Sequence, residues 1–131
     1  MHIHLEIIGY LLIALAFVHI TFSRYFNWKI ELARLSLVNK QMMEVHTFFI
    51  ALVVLLMGIL CALCANELLS TQLGKNLSLG LAIFWTCRLL AQFFWYSSDL
   101  WRGKRFETIV HIVFSCLWLY LSAVFWIVYF D

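Results

Sequence analysis

The chain has 131 residues, 65% of them hydrophobic and 12% charged, with a formal net charge of +2 and no proline. A soluble domain of this size carries roughly a quarter charged residues, so an ordinary soluble fold is excluded, and the small net charge excludes a nucleic-acid partner. The mean hydropathy of +0.94 makes hydrocarbon the better solvent.

Four apolar stretches of about twenty residues use up the length. The expected architecture is therefore an all-α integral membrane protein. It has four transmembrane helices in an up-and-down bundle, with a single domain over residues 1–131.

Residues 5–22 are the first expected span, apolar apart from Glu6 at the start and His19 near the end. Gly9, Ala14 and Ala16 are small enough for a neighbouring helix to come close. The segment lacks the basic start and cleavage site of a secretory signal, so it is expected to remain as a span. Residues 23–42 form a cytoplasmic connection carrying Arg24, Lys29, Arg34 and Lys40. Trp28, Leu32, Leu35 and Met42 share one helical face, which predicts a short amphipathic helix on the membrane surface or against a partner subunit. Residues 43–65 are the second span, with His46 near its start and Gly58 at a close-packing position. Residues 66–76 are expected to be a short turn bearing Lys75.

The third span, 77–97, holds the most informative stretch. Arg88, Gln92, Trp95 and Asp99 recur at steps of four, three and four and so form one polar stripe, with Tyr96 at its edge. With Asp99 at the water boundary, Arg88 lies about 16 Å deeper at about 1.5 Å per residue. A cation at that depth is tolerated only when it faces the bundle interior with a partner. A basic loop, DLWRGKR, leads to the fourth span, 107–130. There Glu107, His111, Ser115, Trp118 and Ser122 share one face, and Glu107 is expected to orient or acidify His111.

The first and third connections carry Arg24, Lys29, Arg34, Lys40, Arg102, Lys104 and Arg105, against Lys75 alone on the other side. The positive-inside rule puts those connections in the cytoplasm and both termini outside or in a lumen, with a bacterial inner membrane as the expected location. This topology brings His19, His46, His111, Arg88 and Gln92 into one layer in the cytoplasmic half.

Three readings of that layer are open. In the first, His19, His46 and His111 bind Fe, Cu or Zn, or two of them bind haem b axially with Arg88 on a propionate. Arg88, Gln92 and Glu107 would then support redox or metal-assisted conversion of a lipid-soluble substrate, making the chain a membrane oxidoreductase. In the second, Arg88 and Gln92 hold the polar end of an anionic lipid, an isoprenoid phosphate or a quinone, and Trp85, Trp95, Tyr96 and Trp118 line the apolar part. In the third, these groups hydrogen-bond one another and lock the bundle. The first is favoured slightly, because histidine is the commonest metal ligand, although no tight motif such as H-E-x-x-H occurs. The rival outside site chemistry is a non-catalytic subunit of a larger membrane complex. Membrane lipids and further copies of the chain are the expected partners.

Other signals carry less. Cys61, Cys64, Cys87 and Cys116 lie in apolar runs rather than loops. The C-x-x-C at Cys61 lacks the second, exposed pair that a membrane thiol oxidoreductase uses to pass electrons on. Asn76-Leu77-Ser78 matches a glycosylation sequon but abuts the third span. Tyr10, Tyr25, Trp28, Trp101, Trp126 and Tyr129 read largely as interfacial anchors. No inverted repeat is evident.

Overall fold

The computed structural model describes residues 1–21, 28–95, 100 and 102–131, and among them the regular structure is helical throughout, with no strand. In chain order the elements are α1 (His2–Ile20), α2 (Trp28–Glu31) running into a 3-10 turn (Leu32–Arg34), α3 (Leu37–Leu63), α4 (Ala65–Ser70), α5 (Gln72–Phe94) and α6 (Arg105–Phe130). Four helices are long and apolar enough to cross a membrane: His2–His19, Leu37–Leu63, Gln72–Phe94 and Arg105–Phe130. Phe22, Arg24, Tyr25, Tyr96, Asp99 and Trp101, which entered the reading of the sequence, lie outside the described residues.

Capping explains where the long helices begin. Leu35 is extended (φ −82°, ψ 156°), and the Ser36 hydroxyl accepts from the Asn39 N–H at 3.3 Å, so α3 starts at Leu37. The described part of the first connection is therefore α2 and a 3-10 turn, not one amphipathic helix, and residues 37–42 belong to the long helix. Likewise Thr71 accepts from the Gly74 N–H at 2.9 Å and starts α5 at Gln72. The expected turn over 66–76 is instead α4 followed by the first turn of α5. Gly74 is buried in that elbow, and a Cβ there would fall on the Glu67 carbonyl and within 2.5 Å of the Leu68 Cα. Gly103, at φ 77°, takes the left-handed turn that precedes α6.

The chain divides into two compact units, Ile3–Ala65 on one hand and Met1–His2 with Asn66–Asp131 on the other. In the first, α1 and α3 approach through reciprocal glycines. A Cβ on Gly9 would stand 2.6 Å from the Ala62 N and 2.8 Å from the Gly58 O, and one on Gly58 would stand 2.8 Å from the Gly9 O. Backbones this close require small residues at the crossing of the two apolar helices.

In the second unit α5 and α6 form an antiparallel hairpin. The Lys75 Nζ donates to the Asp131 carbonyl at 2.9 Å, the Trp126 Nε1 donates to the Thr86 hydroxyl at 2.9 Å, and Gln92 meets His111 at 2.7 Å. Partners on α6 thus descend as residues on α5 ascend. Leu81, Ala82 and Trp85 of α5 and Trp118, Leu121, Phe125 and Val128 of α6 are buried along this seam.

Candidate functional site

Arg88, Gln92 and His111 of the α5–α6 hairpin form one connected chain. The Arg88 guanidinium donates through Nη1 to the Gln92 Oε1 at 3.2 Å, an i to i+4 bond that the helical repeat allows. With its oxygen turned to Arg88, the Gln92 amide presents Nε2 to α6 and donates to the His111 Nδ1 at 2.7 Å. Gln92 is only 8% exposed, so both halves of a buried amide are satisfied. His111 Nδ1 can accept only if the ring carries its proton on Nε2, and the Arg88–Gln92 bond therefore fixes the tautomer one residue further along.

Arg88 is seated from below as well. Its Cζ lies 5.0 Å over the Trp118 ring centroid, a cation–π contact worth about 0.5–2 kcal/mol as water is excluded. Trp118 is in turn stacked on Trp85 (5.1 Å, 13°) and on Phe114 (5.5 Å, 22°). The Phe93 ring meets His111 edge-on at 5.8 Å. A guanidinium held between an amide and a slab of three stacked rings is pre-oriented, with its position set by α5 and its floor by α6.

Because α5 ends at Phe94, Arg88 lies about 9 Å below the helix end at about 1.5 Å per residue, and His111 lies equally far inside α6. The Trp85–Trp118 stack is nearest the middle of both helices.

The hairpin brings together Arg88, Gln92, His111 and Trp118. Trp95 caps α5 and is 85% exposed, away from this group, and Tyr96 is outside the described residues. Glu107 sits half-buried near the start of α6, and the His111 Nδ1 is held by Gln92 rather than by this carboxylate. His19 and His46 belong to the other unit. His19 is half-buried at the end of α1 and donates Nδ1–H to the Leu15 carbonyl at 2.9 Å, whereas His46 is exposed on α3. Among the described residues no group of three or more His, Cys, Asp or Glu side chains is placed to hold a metal ion.

Two features escaped the spacing argument. Trp126, expected as an interfacial anchor, bonds Thr86 across the hairpin. Phe114 joins the Trp118 stack; its position one turn before Trp118 was the only available signal. No protein-family model, curated protein or solved structure matches the chain.

Proposed function

We propose that the chain is a multi-pass membrane protein whose α5–α6 hairpin binds the polar end of an amphiphile. Arg88 is the charged contact, seated on the buried Trp85–Trp118 stack, and the half-buried Phe114 at the edge of that stack begins the surface along which the apolar part lies. Membrane insertion is supported by the four long apolar helices and by an α3 that spans about 40 Å at about 1.5 Å per residue, more than a hydrocarbon core of about 30 Å requires. Its first turns, with Lys40 and Glu44, then stand in the headgroup region. The lysine and arginine distribution supports an up-and-down arrangement with both termini outside and both basic connections in the cytoplasm.

The observation that carries the binding reading is the double seating of Arg88. A guanidinium needed only for packing would be a costly choice inside hydrocarbon. One held by an amide and laid over an indole is organised to meet an oxygen-bearing group from a lipid-soluble molecule.

The metal or haem reading has less support. Ligation through the His111 Nε2 requires that nitrogen to lose its proton, so Nδ1 must become the donor and the Gln92 amide must turn over. Its NH2 group would then face Arg88, donor against donor. His19 has the tautomer that suits a metal, but each unit by itself holds at most two of the three histidines.

Farnesyl phosphate and a decyl-tailed benzoquinone are suitable probes, with farnesol and decane as controls that share their tails. Thermal unfolding of the full chain in detergent should show stabilisation by at least one probe, absent for its control and absent in Arg88→Gln. Equal responses to probe and control would overturn the reading.

A further inference from the structure

Three buried polar atoms in the hairpin have no hydrogen-bond partner among the described residues: the Nε1 of Trp85, the Nε1 of Trp118 and the Oγ of Ser122. Their residues are 2%, 4% and 5% exposed, so water does not reach them freely. An unmet buried donor costs about 1–3 kcal/mol, and in native proteins such groups are few and call for a cause. Three of them lie on one stretch of one seam, since Trp85 stacks on Trp118 and Ser122 follows Trp118 by one turn of α6.

Local geometry does not force this. Thr47, Ser70, Thr71, Ser78 and Ser115 each turn their hydroxyl back to the carbonyl four residues earlier. That acceptor, the Trp118 carbonyl, is equally at hand for Ser122, whose hydroxyl is turned elsewhere. The indoles show the same contrast. Trp126, further along α6, does find a partner in Thr86 at 2.9 Å. The seam can satisfy an indole N–H, and at Trp85 and Trp118 it does not.

We infer that Trp85, Trp118 and Ser122 form a second, uncharged subsite that donates hydrogen bonds to a carbonyl oxygen of the ligand, whose polar head is a flat quinone. The inference rests on the binding reading and narrows it. Indole N–H groups donate and never accept, so the group they meet is an acceptor. The three donors of the subsite are themselves neutral, which suits an uncharged acceptor oxygen, while the Arg88 guanidinium over Trp118 takes any partial negative charge of the ligand. A quinone head has acceptor oxygens at both ends and no donors, and its flat ring matches the half-buried Phe114 at the edge of the stack. A phosphate head matches Arg88 but not the deeper donors.

The test is equilibrium binding of the decyl-tailed benzoquinone and of farnesyl phosphate to the full chain in lipid nanodiscs, in the wild type and in Trp85→Phe, Ser122→Ala and Arg88→Gln. Trp85→Phe keeps a stacking ring and Ser122→Ala removes one oxygen, and an unfolding scan of each verifies the fold. Each should weaken quinone binding about 3- to 10-fold, as loss of one hydrogen bond does, and leave farnesyl phosphate within about twofold. Ser122→Ala should also raise the unfolding midpoint of the ligand-free protein, because it deletes an unmet hydroxyl. Quinone binding unchanged in both variants, or a lower ligand-free midpoint in Ser122→Ala, as for a hydroxyl that serves the fold through a water, would overturn the inference. Binding of farnesyl phosphate alone, lost in Arg88→Gln, would also overturn it while leaving the broader reading standing. Binding of neither probe would remove both.

Discussion

At the scale of single residues, the Gln92 amide decides most of the site. Its oxygen faces Arg88 and its nitrogen faces His111, so one side chain links a cation on α5 to a ring on α6. Hydrogen bonds between membrane helices average about 0.6 kcal/mol with a ceiling near 2 kcal/mol, and a Gln92→Ala, His111→Ala double-mutant cycle should return a coupling in that range by reversible unfolding in mixed micelles. A coupling of zero would mean that the 2.7 Å contact contributes nothing to joining the hairpin. Much of this was legible in the sequence. Steps of three and four place Arg88 and Gln92 on one face of α5 and His111, Ser115, Trp118 and Ser122 on one face of α6. Hydrogen bonding among the histidines, Gln92 and Arg88 was one of the three readings, but spacing alone did not choose Gln92 over Glu107 as the partner of the His111 Nδ1, because helical periodicity ranks Glu107 by its own helix and says nothing of the register between two helices. That register puts Gln92 within reach. Nor could spacing show that Ser122 declines its local carbonyl, since this is a matter of one side-chain rotation.

For the helices, hydropathy located all four long elements, and local chemistry then moved their ends. Ser36 and Thr71 each stand three residues before the backbone N–H they cap, Asn39 and Gly74, and each lengthens a helix towards its N-terminus. The signal was present in the sequence but lies outside the apolar stretches by which spans are recognised. Ser36→Ala should lower stability by about 0.5–2 kcal/mol, the usual cost of a lost N-cap, without affecting ligand binding. The glycine crossing makes a sharper demand. Leucine at Gly58 would have to occupy space already filled by the Gly9 carbonyl and by Ile13, so Gly58→Leu should separate α1 from α3 and cost about 1–3 kcal/mol or more. Loss of helix pairing, read as a fall in thermal midpoint, is the expected result, and a midpoint equal to that of the wild type would show that the two helices do not rely on this contact. The sequence singled out both glycines as close-packing positions. Their pairing with each other emerged only from the structure.

Taken as a whole molecule, the asymmetry of charge is the main guide to orientation. Both basic connections are expected on one face of the membrane and Lys75 on the other. In intact cells or sealed vesicles, single cysteines placed at Lys75 and at Arg102, in a chain whose native cysteines are replaced by serine or alanine, should label from opposite sides with a membrane-impermeant maleimide. Labelling of both from one side would contradict the up-and-down arrangement. Weakening the bias by substitution of Arg102, Lys104 and Arg105 together with neutral residues, which leaves Arg24, Lys29, Arg34 and Lys40 against Lys75, should produce a mixed population of orientations.

The most direct measurement contrasts a ligand site with a purely structural lock, and it needs one variant, Arg88→Met. Met keeps an unbranched side chain of similar reach over Trp118 while removing the charge and the bond to Gln92. A binding site predicts that the ligand-free protein unfolds within about 1 kcal/mol of the wild type, since deleting a cation from an apolar seam offsets the lost contacts, while stabilisation by the amphiphilic probes disappears. A structural lock predicts the opposite: a loss of several kcal/mol in the ligand-free protein, with no probe-dependent stabilisation in either form to lose, and that result would contradict the account.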